Sequence, residues 1–368
     1  MKYITEYRDK ELAKKLVADI AKEARPDRNY RLMEFCGGHT HVISRYGLEG
    51  ILPKNVRMIH GPGCPVCVMP IGRIDSAIEL ALEHGVILCT YADTMRVPAS
   101  KGLSLMKAKA QGGDIRMIYS AADCLDIARA NPDKNVVFFA IGFETTTPAT
   151  AVVLKKAKAE GLKNFFVFCN HVLTPPAMRH ILKNQEKVHI EGFVGPAHVS
   201  TIIGSEPYET FAKDYSKPVV IAGFEPLDML QSILMLIRQI NRGEAEVENE
   251  FTRAVCPEGN MKAIRMMEEV FALRDSFEWR GLGSVPKSAL KLSDAYSDFD
   301  AEKHFNLVYR SVPDNKACEC GAILRGEKQP SDCRAFGTVC TPESPIGSCM
   351  VSSEGACAAY FTYGRHKR

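Results

Sequence analysis

Residues 135–148 read NVVFFAIGFETTTP, an apolar run that ends in a glycine followed by acidic and threonine residues. An apolar run without polar alternation is typical of a strand buried on both faces, and the glycine marks the loop after it. Apolar residues at helical spacing follow over 149–158. This strand, loop and helix unit indicates a parallel α/β sheet, in which functional loops leave the carboxyl ends of the strands.

The same unit recurs along most of the chain. Candidate strands lie at 31–35, 56–60, 86–90, 115–119, 136–141, 165–169, 192–194 and 219–222, and candidate helices at 74–83, 121–130, 149–158 and 228–240. Segments 56–98 and 190–228 share an order of strand, Gly-Pro, loop and strand, which indicates a degenerate repeat; coincidence among generic units is the alternative.

The repeat predicts two similar parallel-sheet α/β lobes that face a cleft. We expect a first lobe over 1–125, which includes an N-terminal helix and the loops of Cys36 and Cys64/Cys67, and a second lobe over 126–240. Beyond residue 279 the chain becomes rich in Gly, Pro and Ser. We therefore expect a loop-rich C-terminal module over 241–368, held by something other than an apolar core.

Composition narrows the class of protein. The chain has 368 residues, of which 46% are hydrophobic and 25% charged, values that exclude a single small module and a disordered or collagen-like chain. Lys plus Arg (47) nearly balances Asp plus Glu (44), so net charge gives no argument for binding nucleic acid or an anionic membrane. The unusual number is 13 cysteines.

The expected cellular compartment determines whether those cysteines are oxidised or reduced. The N-terminal stretch alternates charged and apolar residues at helical spacing, as a surface helix does and a signal peptide does not, and every apolar run is shorter than a membrane span. We expect a cytoplasmic protein whose thiols are kept reduced. Cysteines in that setting are more often metal ligands or redox groups than structural bridges.

Six cysteines crowd the C-terminal end of the chain, at positions 318, 320, 333, 340, 349 and 357. No Cys-x-x-Cys knuckle occurs among them, and the irregular gaps fit a 4Fe-4S cluster better than a structural zinc. Four thiolates hold such a cluster, which leaves two for a redox pair. Neighbours in an extended Cys-x-Cys unit point to opposite sides. We therefore assign Cys318, Cys333, Cys340 and Cys357 as ligands and Cys320 with Cys349 as the adjacent dithiol, with an exchange of Cys318 and Cys320 as the alternative.

Two more motifs follow strands near the N-terminus. The motif GPGCPVC at 61–67 precedes a helix expected near Ile71, whose positive end would lower the pKa of both thiols, as in redox-active Cys-x-x-Cys units; half of a zinc knuckle is the alternative. The motif EFCGGHTH at 34–41 places Cys36, His39 and His41 on a glycine loop. These residue types at the end of a strand predict metal binding or thiol chemistry.

Taken in order, several motifs closely resemble the hydrogenase maturation protein family HypD over essentially the whole chain. They are CGGHTH at 36–41, GPGCPVC at 61–67, GFETT at 142–146, GFVGPAHVS at 192–200, GFEPLD at 223–228 and the C-terminal cysteines. The resemblance implies a role in assembling the Fe(CN)2CO group of [NiFe]-hydrogenases. It implies that HypC shares an iron ion with this protein and that HypE, with HypF acting before it, delivers cyanide as a thiocyanate.

The resemblance also implies roles for individual residues. Cys36 would bind the iron, with His39 close by, and Cys64 with Cys67 would cycle through a disulfide. The 4Fe-4S cluster with its neighbouring thiols resembles ferredoxin-thioredoxin reductase, in which a cluster delivers electrons to a disulfide. We expect the protein to be a monomer when alone, with no nucleic acid or membrane partner. Cys89, Cys124, Cys169 and Cys256 sit singly in the sequence and are expected to be inert packing residues.

Two other functions remain open from the sequence. An iron-sulfur thiol-disulfide reductase would turn over generic protein disulfides and hold no iron beyond the cluster. A purely structural metal-holding scaffold would keep its function when disulfide formation is blocked. Whether the protein is called an enzyme or an assembly scaffold is partly a matter of definition, since its product stays bound to a partner.

Overall fold

The computed structural model describes residues 5–184 and 189–364 and contains two parallel sheets with helices packed on both faces. The predicted α/β class is therefore confirmed, as are two lobes followed by a cysteine-rich C-terminal region. The described strands are β1 (Tyr30–Glu34), β2 (Val56–His60), β3 (Ile87–Thr90), β4 (Ile115–Met117), β5 (Val136–Gly142), β6 (Phe165–His171), β7 (Gly192–Pro196), β8 (Val219–Ala222), β9 (Val247–Asn249), β10 (Phe271–Leu273), β11 (Ser276–Trp279), β12 (Gly283–Pro286) and β13 (Leu290–Leu292).

Helices occupy most of the segments between the strands. The α-helices are α1 (Lys10–Glu23), α2 (Gly37–Tyr46), α3 (Pro65–Val68), α4 (Ile71–Leu82), α5 (Leu105–Ala110), α6 (Asp123–Ala130), α7 (Thr147–Ala159), α8 (Thr174–Lys183), α9 (Ala197–Ile203), α10 (Glu209–Tyr215), α11 (Pro226–Arg242), α12 (Met261–Val270), α13 (Ala301–His304), α14 (Cys320–Leu324) and α15 (Ala356–Gly364). Short 3-10 helices cover Glu6–Arg8, Leu48–Gly50, Ala92–Arg96, Ser100–Gly102, Glu206–Tyr208, Asp294–Phe299, Pro330–Asp332 and Ser348–Met350. None of the described helices is long and apolar enough to cross a bilayer.

The first sheet has the order β2-β1-β7-β8-β9 and the second the order β4-β3-β5-β6, and every pairing in both is parallel. All seven residues of β5 and all seven of β6 are buried. This burial explains why the opening stretch of sequence lacks polar alternation, since helices cover both faces of its strand.

Strand pairing does not follow the expected lobe boundaries at residues 125 and 240. Strands β3 and β4, expected in the first lobe, pair with β5 and β6, while β7 and β8 return to pair beside β1. Strand β9, expected in the C-terminal module, completes the first sheet. After β2 the chain forms all four strands of the second sheet and then returns to complete the first sheet. Each lobe is therefore built around one sheet and does not correspond to one continuous half of the sequence.

The two copies of the expected repeat do not begin in separate lobes. Strands β2 and β7, which begin its two copies, flank β1 in the same sheet. The loops after β1 and β5 instead match each other across the molecule, because each follows an inner strand of its own sheet and leads into a helix. It is these two loops that face one another at the cleft.

The C-terminal region contains short antiparallel pairs, β10 with β13 and β11 with β12, joined by loops. Helix α12 ends at Val270, because Phe271 and the two residues after it pair with β13. Trp279 is buried, and its indole nitrogen donates a hydrogen bond to Ser288 Oγ at 2.8 Å. Buried residues of this region pack against the loops that follow β1 and β2 and form one continuous core with them.

Candidate functional site

The loop after β1 is held by a buried carboxylate. Glu34 Oε2 accepts a hydrogen bond from the Cys36 amide at 2.8 Å, and Glu34 Oε1 accepts one from the Thr40 hydroxyl. The same oxygen lies 3.0 Å from His60 Nδ1 in the neighbouring strand. Burial disfavours the charged imidazole, but the hydrogen bond and charge of Glu34 outweigh it and raise the pKa of His60. This network fixes Cys36 as the residue that precedes α2.

The GPGC loop packs directly on the Cys36 loop because their strands are neighbours in register, with Glu34 opposite His60. The Gly37 amide donates to the Gly63 carbonyl at 3.1 Å. A Cβ atom at Gly63 would lie 2.3 Å from the Cys36 amide nitrogen, so only glycine permits this approach. Parallel pairing therefore brings the two cysteine motifs to one edge of the sheet, as the sequence predicts.

Cys36 opens onto a cleft between the carboxyl ends of the two sheets. The cleft encloses about 880 Å³ not filled by protein atoms, open solvent included. One wall carries Phe35, Cys36 and Gly63 from the first sheet, and the other carries residues 91–94 and 141–146 from the second. We call this space the Cys36 cleft. Its position confirms that the two lobes face a cleft at their strand ends.

His198, at the start of α9, is the imidazole nearest to the Cys36 sulfur among the recorded contacts, with Nδ1 3.9 Å from Sγ. His39, which the resemblance places near the iron, instead directs Nε2 to the Ala222 carbonyl at 2.9 Å. The Phe224 ring packs against both imidazoles, with centroids 3.9 Å from His198 and 5.2 Å from His39. His41 contacts Tyr363. Sequence reasoning placed His198 in a cleft loop but did not assign it to the site.

The C-terminal region also reaches into the Cys36 cleft. Glu354 lines it, and the Ser352 hydroxyl donates to Asp93 Oδ2 at 2.7 Å. Burial, together with the nearby carboxylates of Glu354 and Glu34, raises the pKa of the Cys36 thiol to about 12. Burial together with Asp93 and Glu34 also raises the pKa of Glu354. The sequence held no signal for Glu354, because only the fold brings it next to Cys36.

The Cys-x-x-Cys motif forms a short helical turn. Cys64 precedes α3, and its sulfur accepts a hydrogen bond from the Cys67 amide at 3.3 Å. Both thiols are buried. The expected lowering of both thiol pKa values by a helix end is wrong for Cys67, whose pKa is raised by burial and by hydrogen bonds with Cys349 and Cys64. The residue lies inside a four-residue helix in an apolar core, where desolvation outweighs any dipole.

Cys349 joins the Cys-x-x-Cys turn to the C-terminal cysteines. Its sulfur is in hydrogen-bond contact with Cys320, Cys357 and Cys67, and these three contacts hold its pKa well below the usual range. The neighbouring Ser348 hydroxyl donates to the Cys67 carbonyl at 2.8 Å, which fixes the segment against α3. An unbroken chain of thiol contacts thus runs through Cys64, Cys67, Cys349 and Cys320.

Five of the C-terminal cysteines line one cavity, which encloses about 260 Å³ not filled by protein atoms. We call it the cysteine cavity, and its thiols belong to residues 318, 320, 333, 340 and 357. Cys340 Sγ accepts a hydrogen bond from the Ile346 amide at 3.4 Å. Across the described ranges 5–184 and 189–364, no three His, Cys, Asp or Glu side chains are grouped so as to hold a single metal ion.

The expectation that Cys318 and Cys320 point to opposite sides is wrong. Their sulfurs are in hydrogen-bond contact with each other, and both line the cysteine cavity. The argument assumed an extended chain, whereas Cys320 begins α14. Cys320 is also in hydrogen-bond contact with Cys349, as is Cys357.

The four remaining cysteines lie outside these contacts. Cys169 is buried and Cys256 is exposed. Cys89 on β3 and Cys124 on α6 are buried and in hydrogen-bond contact with each other, so they do not sit singly as expected. They are far apart in sequence and meet because α6 packs on the second sheet.

Comparisons with known proteins identify the family of this chain. A family model described as "HypD: Hydrogenase formation hypA family" matches residues 11–364. The chain is 65% identical over 372 residues to the hydrogenase maturation factor HypD of Cupriavidus necator, with 100% of this chain and 98% of that protein covered. It is 62% identical to HypD of Azotobacter vinelandii, with 100% and 98% covered, and 45% identical to HypD of Escherichia coli (strain K12), with 99% and 98% covered. The chain therefore belongs to the HypD family.

Proposed function

We propose that this protein is a hydrogenase maturation factor that serves as scaffold and redox partner in assembling the Fe(CN)2CO group of [NiFe]-hydrogenases, together with HypC and HypE. The names of its relatives support the maturation role. The observation that carries the finer proposal is the continuity of the site. Cys36 lies in a cleft, the Cys64 loop packs on it, and Cys67 contacts Cys349 and through it the cysteine cavity.

Iron is the cargo in this proposal, and Cys36 is the thiolate that holds it in the cleft. Glu34, Asp93 and Glu354 surround the Cys36 loop, and an acidic setting favours a cation such as Fe(II). Thiolate is also a ligand type that iron accepts readily. Cys36 is one donor, so HypC would complete the coordination from the open side of the cleft.

Cys64 and Cys67 supply the electron pair for cyanide release. The two thiols give up two electrons and two protons and become a disulfide. A thiocyanate from HypE accepts that electron pair, its S–C bond breaks, and a thiol and hydrogen cyanide result, with cyanide passing to the iron. The hydrogen-bond contact of Cys67 with Cys349 then supports thiol-disulfide exchange, because exchange requires direct approach of one sulfur to another.

The residues of the cysteine cavity fit a 4Fe-4S cluster. Soft thiol donors line one small cavity, and a backbone amide donates to one of the sulfurs, as is common around such clusters. We propose Cys318, Cys333, Cys340 and Cys357 as the ligands. When bound, the cluster would supply electrons one at a time. Cys320, in the lining of this cavity, contacts Cys349, which in turn contacts Cys67. Two electrons delivered singly, together with two protons, would convert a disulfide of Cys320 and Cys349 to a dithiol, which would hold the pair for exchange with Cys67.

Infrared spectroscopy of the complex with HypC tests the proposal, because iron-bound cyanide and carbon monoxide give separate bands. We expect iron-bound cyanide bands in the wild-type complex after incubation with cyanide-loaded HypE, and none in Cys36→Ser or Cys64→Ser. The exposed Cys256→Ser is the matched control and should resemble wild type. Cyanide-ligated iron accumulating in Cys64→Ser would contradict the role of the dithiol.

The thiol chain also favours a second function, a thiol-disulfide reductase for protein partners. That function predicts turnover of a generic protein disulfide such as insulin and about four iron atoms per chain, with no additional iron when HypC is present. A fifth iron per chain in the HypC complex, lost in Cys36→Ser, would favour maturation. A scaffold whose cysteines only hold metal predicts instead that Cys64→Ser leaves maturation intact.

A further inference from the structure

A second cavity shares Ile346 with the lining of the cysteine cavity and is used by none of the steps above. It runs between the loop that joins β3 to α5 and the C-terminal segments 312–315 and 343–346, and it encloses about 1400 Å³ not filled by protein atoms, open solvent included. Four cationic side chains line it, against the acidic Asp314 and Glu343; the cations are Arg96, Lys101, Lys107 and Arg280. We call it the basic groove.

The floor of the basic groove is apolar. Ile71, Leu103 and Ile346 line it, and Met106 beside them is 50% exposed. A cationic rim over an apolar floor with an exposed methionine is the composition of a protein-binding surface, since a small anion alone would leave that floor uncovered.

Two features of the rim point to a ligand. Lys101 has φ 56°, the left-handed region that a residue with a side chain seldom adopts, and this strained backbone presents an exposed lysine. Arg280 is 3% exposed, its Nε lies 2.9 Å from Asp314 Oδ1, and its Nη1 has no hydrogen-bond partner within the described residues. A buried cation with spare donor capacity favours an anionic group nearby.

The basic groove adjoins the thiols. Ile346 lines both the groove and the cysteine cavity, and its amide donates to Cys340 Sγ. On the other side, the Arg280 amide donates to the Val68 carbonyl of α3 at 2.8 Å. A protein seated in the groove would therefore be separated from the cysteine cavity by little more than one side chain.

We propose that the basic groove docks the acidic surface of a small one-electron carrier protein of the ferredoxin class. The inference rests on the proposed function, because the electron acceptor is the cluster expected in the cysteine cavity. In each encounter the carrier is oxidised by one electron and the cluster is reduced by one. Two encounters supply the pair that, with two protons, converts one disulfide of the thiol chain to two thiols.

Isothermal titration calorimetry of the full chain with an oxidised acidic [2Fe-2S] ferredoxin tests docking without requiring turnover. We expect a complex whose affinity falls as salt is raised, and a fall of about tenfold or more in the double variant Lys101→Glu/Lys107→Glu. Lys101→Gln should lie between them. Lys163→Glu is the matched control. Lys163 is exposed, lies just before the amino end of β6, and is distant along the chain from the elements that line the groove.

Stopped-flow reduction separates this inference from the proposed function. Dithionite, a small reductant, should reduce the variants as fast as wild type, whereas reduced ferredoxin should reduce the double variant about tenfold more slowly. Wild-type affinity and rate in the double variant, or an equal loss in Lys163→Glu, would overturn docking in the groove. Absence of iron and sulfide from the purified chain would instead overturn the proposed cluster, while the binding measurement would still decide the docking site.

Discussion

Cys67 and Cys349 lie in hydrogen-bond contact, although one belongs to the short helix after β2 and the other to the C-terminal region. This contact links the Cys-x-x-Cys turn to the cysteines beyond residue 317. Replacing the cysteines one at a time therefore tests the order in which the thiols are proposed to exchange.

Replacing Cys349 by serine should separate the two halves of the thiol chain. Serine keeps the volume and a hydrogen bond but cannot form a disulfide, so iron content should match wild type. Reduction of an oxidised Cys64/Cys67 pair by dithionite should slow by about tenfold or more, because sulfur-to-sulfur exchange loses its intermediate. Alkylation and mass spectrometry measure it. Unchanged rates would remove Cys349 from the relay, and Cys256→Ser serves as the control.

Separate serine variants of Cys318 and Cys320 should distinguish ligand from relay. We expect Cys318→Ser to lose most of its iron and sulfide and Cys320→Ser to retain both, because the proposal assigns Cys318 to the cluster and Cys320 to a dithiol with Cys349, which it contacts. Iron and sulfide analysis of anaerobically purified protein measures the difference. The reverse pattern would exchange the two assignments, while Cys89→Ser should change neither quantity.

Alanine at Gly38 should destabilise the packing of α2 against Phe224. Its Cβ would lie 2.6 Å from the Phe224 ring, which packs on both His39 and His198. We expect a loss of about 1–3 kcal/mol in the free energy of unfolding, measured by chemical denaturation. Adding Phe224→Leu should recover part of that loss, since the smaller side chain makes room for the methyl group. Equal losses with and without Phe224→Leu would show that the ring is not the obstacle.

Glu144 should make stability fall as pH rises. Burial raises the pKa of its carboxyl to about 7, although hydrogen bonds from Thr174 partly oppose the shift. Between the unfolded value and about 7, the folded state therefore binds a proton that the unfolded state has released. From pH 4 to pH 8 this group should remove on the order of 3 kcal/mol of stability relative to Glu144→Gln.

Chemical denaturation of wild type and Glu144→Gln across that pH range measures how the free energy of unfolding of each protein changes with pH. The difference between the two proteins at low pH reflects only the exchanged hydrogen bonds. Glu11→Gln is the control, since that side chain is 81% exposed. Parallel pH profiles for wild type and Glu144→Gln would contradict the shift, because they would show that the pKa of Glu144 is the same in the folded and unfolded protein.

Local patterns in the sequence predict the elements well because helices cover both faces of each sheet. All eight candidate strands are observed, with 56–60 and 219–222 at the same bounds. Continuous apolar runs need no partner to be recognised as buried strands. Local patterns contain less information about which strands pair with each other. The lobe boundaries expected at 125 and 240 do not match the strand pairing, because the chain completes its first sheet only after it has formed the second.

The amino-acid sequence by itself determined which residues are candidates for chemistry. The thiols of the 36–41 and 61–67 motifs follow from residue type and position after strands, and the C-terminal cysteines from their number and spacing. Only the tertiary structure decided their neighbours. Parallel pairing of β1 with β2 brings Cys36 beside the Cys64 loop, and return of the chain end places Cys349 on Cys67 and Glu354 in the cleft. The physical reason is that local periodicity reports burial and direction, whereas contacts between residues distant in sequence depend on how sheets and loops pack together.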